Sequence, residues 1–60
     1  MKEGDRVVAP DKEDKCRTGI LIDELSTMYF VCFDDGTDNF VYKTDKRIQA
    51  VSKKDIAELI

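Results

Sequence analysis

The residues best suited to chemistry stand together in one stretch, YFVCFDDGTDNFVY, which runs from Tyr29 to Tyr42. It contains all the aromatic residues of the chain, together with three aspartates and Gly36. Rings and carboxylates at this density could form a ligand site. Aspartate and glycine are also typical of tight turns, because they accept the backbone dihedrals that a turn requires. The stretch is therefore either a binding site or the reversal of a β-hairpin.

Metal binding is not expected from this sequence. The chain has two cysteines, Cys16 and Cys32, and no histidine, which is too few ligands for a structural zinc site unless carboxylates or a second chain contribute. The acidic turn lacks the D-x-D-x-D-G spacing and the bidentate glutamate of a calcium loop. We therefore predict no metal and no cofactor, and two free thiols, with a disulfide as the alternative.

Catalytic motifs are also missing from the sequence. It has no histidine, no nucleophile elbow and no glycine-rich phosphate loop. A chain of 60 residues also leaves little room for a pocket of catalytic size. We predict that the protein is not an enzyme, which leaves binding and assembly as the function classes to consider.

The composition predicts one small globular domain over residues 1–60. Hydrophobic residues make up 42% and charged residues 38% of the chain, unlike the composition of disordered proteins. No apolar run approaches the ~20 residues that span a bilayer, and the N-terminal MKEGDR lacks the apolar region of a signal peptide. We expect an intracellular protein without membrane contact. The net charge of −3 disfavours nucleic acid as the partner and favours a basic one.

The elements that must position the acidic turn are predicted to be short strands. Runs of β-branched and aromatic residues, separated by turn residues, predict strands over 6–9, 16–25, 28–33, 38–43 and 47–51. A short C-terminal helix is predicted over 53–59, where Ser52 can cap the first turn. A sheet this small needs closure to hide its edges. The sequence thus predicts an all-β fold, a small five-stranded antiparallel barrel.

Four segments in order, GDRVVAP, TGIL, YFVCFDDGTDNFVY and DKRIQAV, resemble a Tudor domain, the SH3-like barrel of the chromatin-reader superfamily. The resemblance covers about residues 4–51. It implies a Tudor-like barrel that binds methylated lysine or arginine, for example in a histone tail, and a nuclear location. Such domains surround the cation with an aromatic cage, because the quadrupole of each ring attracts a partly desolvated ammonium group.

The cage that the resemblance implies is incomplete in this chain. The family has an aromatic residue just after the first strand, where this chain has Pro10 or Asp11, and another before the glycine of strand two, where it has Arg17 and Thr18. Phe33 matches the aromatic position before the acidic turn, and Asp35 matches the acidic member. Rings from strand four could complete the site. The expected peptide-binding residues are therefore Asp11, Phe33, Asp35, Phe40 and Tyr42.

Alternation along the strands predicts a second surface. Phe30 and Cys32 should point away from the core on strand three, and Ile20 and Ile22 should do so on strand two. Together they would form an apolar patch on the outer wall of this hairpin. Either the predicted helix over 53–59 covers the patch, or the patch is an interface with a second copy or a neighbouring domain.

Three functions are compatible with these patterns. The first is a Tudor-like module that binds a basic peptide, methylated or not, near the acidic turn. The second is a structural or assembly module that has lost its cage and uses the outer wall for protein contacts. The third is nucleic-acid binding through Lys43, Lys46 and Arg47 with Tyr42, which the acidic remainder of the chain opposes.

Overall fold

The structure, a computed structural model, describes residues 1–51. They form one antiparallel sheet with the strand order β4-β3-β2-β1-β5. The predicted all-β fold with five antiparallel strands is confirmed, whereas the predicted helix over 53–59 lies outside the described residues. The strands are β1 (Arg6–Pro10), β2 (Cys16–Glu24), β3 (Met28–Phe33), β4 (Asp38–Tyr42) and β5 (Gln49–Ala50).

The first four strands lie within one residue of their predicted bounds, but β5 is shorter than the predicted 47–51. A turn occupies the start of that predicted range. The backbone N–H of Asp45 donates to the carbonyl oxygen of Tyr42 at 3.0 Å, and the Asp45 carboxylate accepts from the backbone N–H of Arg47 at 2.9 Å. The aspartate side chain thus satisfies a local amide that a strand would need for its ladder.

The core lies on one face of the sheet, where alternate residues of the strands meet. Leu21, Val7 and Val31 are its largest fully buried side chains. Tyr29 packs against the cluster from β3 and remains partly exposed. This one-sided burial explains the period-two pattern of the sequence. The buried apolar cluster consists of Val7, Ala9, Leu21, Val31, Phe33, Val41 and Ile48.

Gly19 and a β-bulge shape the long strand β2. A Cβ atom on Gly19 would lie 2.4 Å from the carbonyl oxygen of Cys32 and 2.9 Å from the Cα of Phe33, so β2 and β3 approach closely at this point. Two positions later the register shifts between Leu21 and Asp23, which leaves Ile22 as the extra residue. Bulges increase the twist and bend of a strand. The glycine in β2 therefore marks a close backbone approach, as its place in a strand predicts.

The sheet curves but is not closed into a barrel within residues 1–51. The edge strands β4 and β5 do not pair with each other. One side-chain contact joins the two ends, where Asn39 Nδ2 donates to the carbonyl oxygen of Pro10 at 3.0 Å. The prediction of a closed barrel is therefore corrected to an open, curved sheet. The two-residue length of β5 explains the difference, since it provides too little main chain to pair on both of its sides.

Candidate functional site

The candidate site forms where two loops meet at one end of the sheet. Pro10 pairs with Cys16 at the end of the β1–β2 hairpin, and Gly19 pairs with Phe33 immediately before the acidic turn. The backbone N–H of Asp34 also donates to the carbonyl oxygen of Thr18 at 3.1 Å. The β1–β2 loop and the β3–β4 turn are therefore neighbours, with β2 between them.

Asp11 organises the β1–β2 loop through its carboxylate. Its Oδ1 accepts hydrogen bonds from the backbone N–H groups of Glu13 at 2.8 Å and Lys15 at 3.0 Å, and its Oδ2 accepts one from Arg17 Nε. Asp11 is 8% exposed, the one charged residue that is buried within residues 1–51. The bond from Arg17, followed by the bond from the Lys15 amide, lowers the pKa of Asp11 below its ordinary value. Asp11 is thus a structural anion of the loop.

Arg17 connects this loop to the acidic turn. Its Nη1 lies 3.3 Å from Asp35 Oδ2 while its Nε bonds to Asp11. Asp35 is held in place by Thr37, whose backbone N–H donates to Asp35 Oδ1 at 3.0 Å. The bond from the Thr37 hydroxyl and then the one from its amide lower the pKa of Asp35. One guanidinium therefore lies between two oriented carboxylates.

A pocket with an excess of negative charge surrounds this guanidinium, and we call it the acidic pocket. Its volume is about 360 Å³. Four carboxylates and two cationic side chains line it, so it retains a net negative charge at neutral pH. This charge favours a cationic guest. The lining residues are Asp11, Lys12, Glu13, Arg17, Asp35, Thr37 and Asp38.

The carboxylates of the acidic turn have cationic partners within the chain. Asp34 forms a bidentate pair with Arg6, with N–O distances of 2.9 Å and 2.7 Å. Asp38 lies 3.8 Å from the Nζ of Lys12. The sequence analysis missed Arg6 and missed the bridging role of Arg17. The role of Arg17 could have been inferred from the predicted hairpin, because that hairpin brings Arg17 back beside the end of β1.

Phe33 belongs to the core and is 4% exposed, and it lines a pocket of about 250 Å³ beside Asp34 and Asp35 rather than the acidic pocket. Phe40 and Tyr42 are 52% and 62% exposed, but neither lines the acidic pocket. They border a separate groove of about 170 Å³ that also includes Asp11. The five residues predicted for peptide binding are therefore divided, with Asp11 and Asp35 in the acidic pocket and the two exposed rings elsewhere. The inward direction of residue 33 follows from the same period that buries Val31.

The four residues predicted for the outer patch lie beside the exposed rings of β4. Ile20 pairs with Cys32 across the β2–β3 ladder, and Phe30 pairs with Phe40 across the β3–β4 ladder. The Phe30 and Phe40 ring centroids are 4.8 Å apart with a 40° interplanar angle. Ile22 is 48% exposed. We call this surface the outer wall, and it consists of Ile20, Ile22, Phe30, Cys32, Phe40 and Tyr42.

The basic cluster considered for nucleic-acid binding is largely paired. Lys43 Nζ lies 2.9 Å from Glu24 Oε2 and 5.4 Å from the centroid of the Tyr29 ring. Arg47 Nη2 lies 2.8 Å from Asp45 Oδ2. Two of the three cations therefore have carboxylate partners, which weakens their attraction for phosphate.

Within residues 1–51, no group of three or more potential metal ligands lies together, and no helix is long and apolar enough to cross a membrane. Both cysteines are free thiols, Cys16 exposed and Cys32 half-buried. No family model, curated protein or solved structure matches the chain. The acidic pocket and the outer wall are therefore the two features of the molecule that indicate a function.

Proposed function

We propose that this chain is a non-enzymatic protein-interaction module, a Tudor-like member of the SH3-like barrels, that binds an arginine-containing basic peptide in the acidic pocket. The observation that supports this proposal is the position of Arg17, between the carboxylates of Asp11 and Asp35. A pocket that already holds one guanidinium has the charge and the hydrogen-bond acceptors to hold another. A histone tail is a basic segment of this kind, and a nuclear location would follow from it.

Recognition by charge distinguishes this proposal from a methyl-lysine reader. Phe33 is buried and the exposed rings lie outside the pocket, so no ring faces are available to surround a methylated ammonium. A single exposed ring contributes only ~0.5–1 kcal/mol to such a cation. Carboxylates favour the planar guanidinium because it donates two parallel hydrogen bonds. Arginine is therefore the expected anchor, and lysine methylation should add no affinity.

The Tudor-like strand order that we propose is supported by the connectivity. Four consecutive strands form a meander, and the chain then returns so that β5 pairs with β1. The contact between Asn39 and Pro10 draws the other edge of the sheet toward β1. This order and curvature are expected for an SH3-like barrel in which the last strand is short.

A chemical-shift titration tests the proposed function. One basic peptide sequence is prepared with arginine, lysine or trimethyl-lysine at its central position and added to the labelled protein. We expect saturable, micromolar-range shifts at Asp11, Arg17 and Asp35, largest for the arginine peptide, because oriented carboxylates favour a bidentate donor. Shifts only with the trimethyl-lysine peptide, or shifts elsewhere alone, would contradict the proposal.

Two neighbouring aspartates supply a matched pair of variants for this titration. Asp35→Asn and Asp34→Asn remove the same charge at adjacent positions, but only Asp35 lines the acidic pocket. We expect Asp35→Asn to weaken binding of the arginine peptide by roughly tenfold and Asp34→Asn by about twofold or less, since Asp34 pairs with Arg6 outside the pocket and contributes only screened attraction. Equal losses in the two variants would show that the peptide responds to net charge rather than to the pocket.

The outer wall supports a second function, assembly with another protein surface. The specific observation is the ring pair of half-buried Phe30 and exposed Phe40, which extends to the exposed Tyr42 at the edge of the sheet. Adjacent exposed aromatic residues of this kind are typical of interfaces. Sedimentation should show concentration-dependent association that Phe30→Asp abolishes, while Glu3→Gln, a charge change outside the outer wall, leaves it intact. Monomeric behaviour of all three proteins would rule out self-assembly through this wall.

A further inference from the structure

Within residues 1–51, strand β4 is an edge of the sheet with no strand beyond it, and the directions of its main-chain groups are known from its ladder. Phe33 donates its N–H to the carbonyl oxygen of Thr37 at 2.7 Å, and Lys43 donates to that of Thr27 at 2.9 Å. Odd-numbered residues of β4 therefore bond to β3, because hydrogen-bonded positions alternate along an antiparallel strand. The N–H and C=O groups of Asp38, Phe40 and Tyr42 point away from the sheet.

Within the described residues, β4 itself carries few of the features that normally protect an edge strand. Edges are usually kept apart by short length, proline, bulges or an outward lysine. The opposite edge, β5, is protected by its length of two residues. β4 has five residues with the sequence DNFVY and a regular register along its whole ladder, and it presents exposed aromatic rings at Phe40 and Tyr42.

The groove along β4 leaves space beside the edge. Its volume is about 170 Å³, and Asp14, Asp45 and Arg47 form its other wall. Arg47 Nη1 lies 3.4 Å from Asp14 Oδ1, and the Asp14 side chain is 83% exposed. Exposed ion pairs of this kind contribute little to stability. A strand that approaches β4 would therefore displace this weak contact, while Pro10 and Asp11 also line the groove.

We propose that β4 pairs antiparallel with β4 of a second copy of this chain, with Phe40 opposite Phe40 of the second copy. The edge is self-complementary in this register, because Asp38 then lies opposite Tyr42 and no like charges face each other. The pairing deepens the assembly function proposed above by naming its partner and its contact. It is independent of peptide binding in the acidic pocket.

The pairing would form four main-chain hydrogen bonds without changing either sheet. Two join the Phe40 residues, each donating to the carbonyl oxygen of the other, and two run from the Tyr42 N–H to the Asp38 carbonyl oxygen of the opposite copy. The carbonyl oxygen of Tyr42 is already used by the Asp45 N–H at 3.0 Å and is not counted. The two Phe30–Phe40 ring pairs would become neighbours, so that the outer walls join into one apolar surface across a doubled sheet.

Register-specific disulfides test this proposal. In a background with Cys16→Ser and Cys32→Ala, the full chain carries one new cysteine, at Phe40, Tyr42 or Asp38, and is incubated with a glutathione redox buffer. Directly opposed residues in a hydrogen-bonded pair have Cα atoms about 5.5 Å apart, within disulfide range. Phe40→Cys should therefore cross-link with itself. In the Tyr42→Cys variant, the two new cysteines would lie about 14 Å apart, four positions along the strand. This variant should therefore cross-link only when it is mixed with the Asp38→Cys variant.

A main-chain variant provides the second measurement. Phe40→Pro removes an N–H that points away from β3, so the internal ladder should remain, while Phe40→Thr removes the same ring and keeps the N–H. In sedimentation, the dissociation constant of the Phe40→Thr dimer should be at least about tenfold lower than that of Phe40→Pro. The reason is that only proline removes two of the four intermolecular bonds. Equal cross-linking at positions 40 and 42, or equal association of these two variants, would overturn the proposal. If one of these two results were found and Phe30→Asp still abolished association, the chain would assemble through the outer wall and not by pairing of its β4 edges.

Discussion

The carboxylate of Asp11 holds a large part of the local structure of the β1–β2 loop. It accepts two backbone hydrogen bonds within its own loop and one from Arg17. It thereby fixes the loop and also orients the guanidinium that faces Asp35. The residue that the resemblance placed at a missing cage position is thus the anion that positions the pocket.

The lowered pKa of Asp11 predicts how stability depends on pH. A carboxylate whose pKa is lower in the folded state stabilises the fold above its unfolded pKa, and this contribution is lost as pH falls through the folded value. The ordinary value is 3.8 and the folded value lies below it. The free energy of unfolding should therefore be lower for Asp11→Asn than for the natural chain at about pH 7, and the difference should shrink below about pH 4.

Urea unfolding of both proteins across this pH range measures the effect. Asp23→Asn is the control, because this exposed carboxylate has no hydrogen bond or ion pair among residues 1–51. Its difference from the natural chain should be small at every pH. A difference for Asp11→Asn that is constant down to about pH 2 would show that its carboxylate is not stabilised in the fold.

Gly19 and Gly36 predict two different costs for the same substitution. Gly19→Ala would place a Cβ 2.4 Å from a backbone oxygen, and such overpacking costs about 1–3 kcal/mol. Gly36 has φ of 90° with no atom within 4 Å of an added Cβ, so Gly36→Ala costs about 1 kcal/mol through backbone strain alone. Gly36→Asn should recover part of that loss, whereas Gly19→Asn should not. Thermal unfolding of the four variants compares them, and equal recovery at both positions would contradict this account.

At the scale of elements, the strands β1 to β4 follow the hydrophobic period closely enough that the sequence predicts them. The period fails at β5, because the side chain of Asp45 bonds to the Arg47 amide and extends the turn. The hydrophobic period also does not determine whether the aromatic rings of the acidic stretch share one site. The period of β3 places Phe33 on the core face, but the register of β3 with β4 is needed to place Phe40 beside Phe30 on the opposite face.

Adjacent residues of β3 test this alternation. Val31 is fully buried and Cys32 is half-buried on the outer wall. Val31→Ala should lower the free energy of unfolding by about 2 kcal/mol, because it leaves a cavity in the core. Cys32→Ala should lower it by less than about 1 kcal/mol. Urea unfolding measures both, and a reversed order of the two losses would show that the faces of β3 are assigned wrongly.

At the scale of the whole molecule, the closed barrel expected from the sequence is an open sheet over residues 1–51. The sheet stays open because the last strand is short, and one bond from Asn39 to Pro10 draws β4 toward β1; no local sequence pattern predicts either feature. The pairing of charges also depends on tertiary structure. The sequence provides the net charge of −3, but only the fold shows that Arg6 and Arg17 neutralise part of the acidic turn.

The net negative charge predicts how peptide binding depends on salt. The affinity of the acidic pocket for the arginine peptide should fall at least about tenfold between about 0.05 M and about 0.5 M sodium chloride, because exposed charges are screened over this range. Isothermal titration at several concentrations measures it. An affinity that stays constant or rises with salt would assign the contact to the outer wall, whose apolar residues are insensitive to screening.

The side-chain NMR signal of Arg17 during titration with the arginine peptide tests directly whether the peptide binds in the acidic pocket. The Nε–H of Arg17 bonds to Asp11, so its resonance and its exchange with water report whether the internal guanidinium keeps its place. We predict a saturable shift of this resonance with the same midpoint as the backbone amide of Asp35. If the Nε–H of Arg17 is unchanged at a peptide concentration that saturates the other shifts, the acidic pocket is not the binding site.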